Sequence, residues 1–142
     1  MSEDKEKAEK LLVEYEYYKG QAEALQEGIA LLDASIMQID ATIITLGETG
    51  SLEKKNEILL PVGSDSFLRA TITDTKNAVV GIGAGVAVKK TIKEAAQELE
   101  ERKKELEKIK VERAEALEKT VAILQEAAPR LQEAISKAEK EG

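Results

Sequence analysis

The chain has no cysteine, no histidine and no tryptophan, and aromatic residues make up only 3% of it. Each absence removes chemistry. Without thiols there is no disulfide, no thiolate nucleophile and no cysteine ligand for zinc; without imidazole there is no side chain that exchanges protons near neutrality. Two prolines in 142 residues and so few aromatics speak against a thick, turn-rich globular core. No run approaches the roughly eighteen consecutive apolar residues of a membrane span, and the start, Met1-Ser2-Glu3-Asp4-Lys5, lacks an apolar signal region. The expectation is a cytoplasmic protein with no membrane partner. Lys and Arg are scattered among Glu and nowhere clustered, so no counterion-displacing surface forms and no nucleic-acid partner is expected.

What is abundant is charge, 35% of residues with a net value of −7, and the excess is local. Residues 1–46 hold ten acids against four bases, whereas 47–90 and 91–142 are close to balanced. The same first stretch carries an apolar residue at every heptad seam position: Ala8, Leu11, Tyr15, Tyr18, Ala22, Leu25, Ile29, Leu32, Ile36, Ile39, Ile43 and Leu46. Steps of three and four alternate, which predicts a helix that supercoils left-handed against a partner. Gly47 and Gly50 predict its end.

A second helix is predicted from the capping-box pattern Thr91-Ile92-Lys93-Glu94 onward, over 91–142. Its seam reads Ile92, Ala95, Leu99, Arg102, Leu106, Ile109, Arg113, Leu117, Val121, Leu124, Ala128, Leu131, Ile135 and Ala138, with consecutive steps of four around Arg113 that predict a local stutter. The two helices match in length as an antiparallel hairpin with Ile92 facing Leu46 and both chain ends at one tip. Pro129 cannot donate to the carbonyl of Gln125 and predicts a kink or fraying near that tip.

Between the helices, 47–90 reads as two β-hairpins. Glu57–Val62 and Ser66–Thr73 flank Gly63-Ser64-Asp65, and Ala78–Ile82 and Gly85–Val88 flank Gly83-Ala84, with Asp74-Thr75-Lys76-Asn77 linking the pairs. Their apolar residues Ile58, Leu60, Val62, Leu68, Ile72, Val80, Ile82, Val86 and Val88 cannot be covered by the strands themselves, so this block is the expected assembly surface, pairing with other subunits. The fold class is α+β, mainly α: a long antiparallel two-helix coiled coil with two hairpins at the bend, one domain over 1–142.

Two motifs suggest chemistry and fail on detail. Gly81-Ile82-Gly83-Ala84-Gly85-Val86-Ala87-Val88-Lys89-Lys90-Thr91 looks like a phosphate loop, yet Val88 stands where Gly must precede Lys-Ser/Thr, and Val86 fills the third glycine position of a dinucleotide fingerprint. The carboxylates Glu98 to Glu112 alternate with Lys103, Lys104, Lys108 and Lys110 as a solvated, ion-paired face. No catalytic residue, metal ligand or cofactor is expected, and the protein reads as a non-enzyme. Off the seam, Leu12, Val13 and Tyr17 on the first helix and Ile123 and Ala127 on the second occupy positions where coiled coils hold charge. A widened seam or contacts between helix pairs, and an exposed apolar patch at the tip that binds something non-specifically, account for them equally.

Ile58-Leu59-Leu60-Pro61-Val62-Gly63-Ser64-Asp65-Ser66-Phe67 and Val79-Val80-Gly81-Ile82-Gly83-Ala84-Gly85-Val86-Ala87-Val88, set between two equal coiled-coil helices, resemble the α-class subunit of prefoldin. The likeness covers the whole chain, Asp65 departing from a turn that is usually small and glycine-rich. It implies a hexamer of two α-class and four β-class subunits whose hairpins form an inter-subunit β-barrel. It also implies ATP-independent capture of unfolded proteins at the coiled-coil tips and transfer to a group II chaperonin. The alternative is a structural protein that self-assembles through its hairpins into a filament.

Overall fold

The computed structural model describes residues 2–52 and 57–140. Helix α1 (Ser2–Ser51) is followed by β1 (Glu57–Gly63), β2 (Ser66–Thr71), β3 (Asn77–Gly83), β4 (Val86–Thr91) and helix α2 (Ile92–Lys140). The chain divides into two compact units, one of Met1–Ala34 with Leu106–Gly142 and one of Ser35–Glu105.

In the terminal unit, α1 and α2 pair antiparallel. Lys110 Nζ lies 2.5 Å from Asp33 Oδ1, and Arg113 reaches over Gly28, its Nη1 3.3 Å from where a Cβ on that glycine would stand. The α1 seam residues of this unit, from Ala8 to Leu32, are all buried or half-buried while the positions between them are mostly exposed. Among the described residues no side chain is fully enclosed, and the most buried apolar groups are Ala8, Ala22, Ile39, Ala95 and Ala134. A two-helix seam buries small residues such as alanine most completely and leaves most of its larger side chains half-buried.

The seam of α2 differs from the one predicted. Buried or half-buried side chains fall at Ile92, Ala95, Ala96, Leu99, Lys103, Leu106, Lys110, Ala116, Leu117, Thr120, Val121, Leu124, Ala127, Ala128, Leu131, Ala134 and Ala138, whereas Arg102, Ile109, Arg113 and Ile135 of the predicted seam are exposed. Selecting the apolar residue at each turn led to Ile109 and Ile135, which are exposed; their neighbours Lys110 and Ala134 face α1 instead. Arg102 is likewise exposed and Lys103 half-buried. Long cationic side chains occupy a seam because their methylenes cover it while the ammonium meets a carboxylate. Pro129 does not end the helix, which continues to Lys140.

In the other unit, α1 does not stop at Gly47 or Gly50. The hydroxyls of Thr42, Thr45 and Thr49 donate to the carbonyls one turn back at 2.8, 2.9 and 2.8 Å, and Leu52 N closes the last turn on Thr49 O at 3.1 Å. Ile92 packs against this final turn, 3.6 Å from where a Gly50 side chain would begin. The helix continues through both glycines although each costs roughly 1 kcal/mol relative to alanine in a helix. The consequence is a register in which Ile92 stands by Gly50 and not by Leu46. Lys103 Nζ meets Asp40 Oδ1 at 2.7 Å within the same unit. As the spacing predicts, Thr91 and Glu94 form a capping box at the start of α2, Glu94 N donating to Thr91 Oγ1 at 3.1 Å.

The strands form two separate two-stranded antiparallel sheets, β1 with β2 and β3 with β4. The second copies the first at a spacing of twenty residues: Leu60↔Leu68 and Gly63↔Ser66 become Val80↔Val88 and Gly83↔Val86, with a bulge before the turn in each. Ser64 and Asp65 (φ 49° and 58°), and Ala84 and Gly85 (φ 52° and 74°), take the left-handed conformation of type I′ turns, whose twist matches the strands. Asp65, the departure from a glycine-rich turn, is among the few L residues that tolerate this region. The linker is held by Asp74, whose Oδ1 accepts from Lys76 N at 2.9 Å and Asn77 N at 3.1 Å, and Ile92 N donates to Lys76 O at 2.9 Å.

Candidate functional site

Two surfaces stand out, one in each unit, and neither has the features of a reaction centre. Among the described residues no three His, Cys, Asp or Glu side chains converge as a metal site. The glycines of Gly81 to Gly85 belong to the end of β3 and its turn into β4, so their amides do not gather at a helix N-terminus where a phosphate binds.

The first surface is the hairpin pair. Leu60, Val62, Leu68, Ile82 and Val86 are exposed, while Ile58, Ile72, Val80 and Val88 are half-buried. Ile58, Leu60, Leu68 and Ala70 share one face of β1–β2; Ile72 lies just past the end of β2, and Val62 sits in the bulge. The opposite face escaped the sequence reading. Leu59 and Phe67 lie on it, and Val79, the corresponding residue of β3, is 77% exposed. The signal was present as a continuous apolar run, Ile58-Leu59-Leu60, which marks a strand covered on both faces. A slot of about 260 Å³ opens between β3 and the helices, bounded by Val79, Gly81, Thr42, Leu46, Ala95 and Leu99. Each sheet also leaves its outer strand edges without backbone partners, the arrangement that invites strand addition.

The second surface lies in the terminal unit. Val13 and Tyr17 are 70% and 62% exposed, and Leu12 and Ile123 are also open to solvent. Ala127 is not part of this exposed surface. The predicted register put Ala128 inward and left Ala127 outside, whereas both are half-buried. Tyr17 meets Tyr18 edge-on, ring centroids 5.3 Å apart at 77°. Tyr18 is half-buried on the seam and braces its exposed neighbour.

Exposed apolar residues continue along α1 beyond the predicted patch. Leu31 and Met37 are each 71% exposed and Ile44 is also open. From Gly28 to Gly47 the only charged residues are Asp33 and Asp40, the two acids that pair with lysines of α2. This charge-poor stretch makes α1 long and apolar enough to cross a membrane, which corrects the expectation that no such segment exists. Two acids at the middle of a span are costly, on the order of 3 kcal/mol each, and here both are committed to interhelix ion pairs.

Comparison with known proteins assigns the arrangement. Residues 18–140 match the family model described as prefoldin subunit. A prefoldin subunit alpha 1 of Thermococcus kodakarensis is 39% identical over 102 residues, covering 72% of this chain and 70% of that protein. A prefoldin subunit alpha of Pyrococcus horikoshii is 37% identical over 103 residues, with the same coverage of 72% and 70%. Among solved structures, filamentous PFD from Methanocaldococcus jannaschii, determined by cryo-EM, superimposes with a TM-score of 0.70 at 23% identity, covering 81% of this chain and 95% of that one.

Proposed function

The chain belongs to the prefoldin family, and from that membership we propose that it is the α-class subunit of a cytoplasmic, ATP-independent chaperone that captures unfolded proteins and passes them to a group II chaperonin. The observation that carries this reading is the exposure of Leu12, Val13, Tyr17 and Ile123 in the terminal unit, at positions where a coiled coil ordinarily holds charge. A non-native polypeptide offers apolar side chains in no fixed geometry. Its receptor therefore needs weak apolar contacts presented several times over, so that avidity replaces shape complementarity.

Multiplicity comes from assembly. Four short strands with exposed apolar residues on both faces and free edges are not stable as isolated hairpins in water. Covering each exposed Val, Leu or Ile contributes on the order of 1.5 to 3 kcal/mol. We propose that these hairpins join those of β-class subunits, two α with four β, in a shared β-barrel. No step of capture or release calls for a catalytic residue or a cofactor.

The test is suppression of aggregation of a denatured protein, without ATP, by this chain alone and with a β-class partner. Deleting 1–18 together with 124–142 should abolish protection while the subunit number stays the same. Full protection by the truncated assembly would move the client site to the remaining helix faces or the barrel.

A second reading, homopolymerisation into a filament through the same hairpins, is favoured by the likeness to a structure described as filamentous. Light scattering separates the two. A defined species formed with a β-class partner supports the hexamer, and length-heterogeneous polymers of the chain alone support the filament.

A further inference from the structure

A shallow, open groove along one face of α1 in the terminal unit, about 590 Å³ in volume, is lined by residues of that helix alone. Val13 and Tyr17, one turn apart, form its apolar floor, with Tyr18 at one end. Glu6, Glu9 and Glu14 line its sides, and Lys10 is the single cation among the lining residues. The three glutamates are exposed and none is ion-paired. The site thus combines an apolar floor and an aromatic face with two net negative charges.

Three kinds of occupant can be compared on physical grounds. A purely apolar segment covers the floor but draws water from three carboxylates and returns no hydrogen bond. An acidic segment is repelled. A segment carrying Lys or Arg among apolar residues satisfies both features: its methylene stems lie on Val13 and Tyr17 while its cations meet the carboxylates and the tyrosine ring face. We propose that this groove selects apolar segments bearing lysine or arginine, so that the chain discriminates among unfolded polypeptides by their charge. This refines the client site of the proposed chaperone function and rests on that reading.

Selection of this kind is electrostatic and falls with ionic strength, whereas the apolar contact does not. The experiment uses the full chain, assembled with its β-class partner where it forms one, and three labelled peptides of equal length. Each peptide alternates Leu and Phe with Lys and Arg, with Gln and Ser, or with Glu. At about 50 mM salt, fluorescence anisotropy should show the basic peptide binding about tenfold more tightly than the acidic one, the scale of a few solvent-exposed ion pairs acting together. By about 300 mM salt that ratio should shrink to about twofold.

The triple variant Glu6→Gln, Glu9→Gln, Glu14→Gln should bring the basic peptide to the affinity of the neutral one, and the corresponding Lys triple should invert the order. All three positions are exposed, and unchanged helicity by circular dichroism shows that the fold is retained. Equal affinity for the three peptides, or a basic-peptide affinity untouched by the Gln triple, overturns the proposal. If the intact chain still suppresses aggregation in that case, the chaperone reading stands without charge selection. If no peptide binds and aggregation is not suppressed, both fail.

Discussion

Lys110 of α2 and Asp33 of α1 stand 2.5 Å apart across the seam of the terminal unit. Both are part-exposed, so the pair is worth on the order of 0.2 to 1 kcal/mol. Its sign is nonetheless testable. Asp33→Lys should lower the melting temperature by placing two cations at one seam level, and the exchange Asp33→Lys with Lys110→Asp should restore most of the loss. An exchange variant as unstable as the single one would show that the pair does not govern this level of the seam.

Asp74 makes a pH prediction. Its carboxylate accepts hydrogen bonds from the Lys76 amide and the Asn77 side chain, which hold its pKa below the ordinary value with a smaller contribution from Lys89. A lowered folded pKa means that the unfolded chain takes up the proton first on acidification. The stabilisation is therefore fully present above the ordinary carboxylate range and lost as pH falls through the lowered value. Amide exchange at Lys76 and Asn77 should be slower in the wild type than in Asp74→Ala near neutral pH. After correction for intrinsic exchange rates, the two proteins should converge at strongly acidic pH. A gap that persists there would assign the linker's order to other contacts.

Glycine substitutions should divide by backbone conformation. Gly20 and Gly47 lie inside α1 with open space where a Cβ would stand, so alanine at either should stabilise by about 0.5 to 1 kcal/mol. Gly63 and Gly83 adopt φ of +111° and +108° beside the two hairpin turns. Alanine there meets no neighbour yet is strained by that φ, and it should destabilise by about 1 kcal/mol or more. Melting temperatures of the four variants decide the matter, and a stabilised Gly63→Ala would contradict the turn geometry.

Assembly through the hairpins predicts that Val80→Asp leaves the helix pair folded and reduces the oligomer to smaller species. Val79→Asp, on the opposite face, should do the same if both faces are covered by partners. Light scattering reports the mass and circular dichroism the helicity. An unchanged mass for Val80→Asp removes these strands from the interface, and an unchanged mass for Val79→Asp alone leaves only one face covered.

The α1 seam, the two hairpins and the capping box at Thr91 were readable from residue spacing, because each depends on contacts within a few residues or on a strict apolar repeat. The exact turns were not: Gly63 and Gly83 close the strands and the turns fall at Ser64-Asp65 and Ala84-Gly85, with β2 ending at Thr71 and β4 running from Val86 to Thr91. Helix α2 was harder. Its seam carries Lys103, Lys110 and Thr120, and polarity alone points to the wrong neighbour at Ile109 and Ile135. Only the opposing helix, with Asp40 and Asp33 placed to receive those lysines, fixes which residues turn inward. Ala127 of the predicted patch is half-buried, whereas Leu12, Val13, Tyr17 and Ile123 are exposed at the positions their spacing assigns.

By itself the sequence determined that two helices pair around hairpins that need covering, since heptad spacing and strand alternation are local and periodic. The tertiary structure decided where α1 ends: the helix runs through Gly47 and Gly50 to Ser51, with Ile92 beside its last turn. It decided too that both hairpin faces are open, and that the groove around Val13 and Tyr17 is lined by α1 alone. Burial and proximity depend on what the rest of the chain supplies to a residue's other side, and no local pattern contains that.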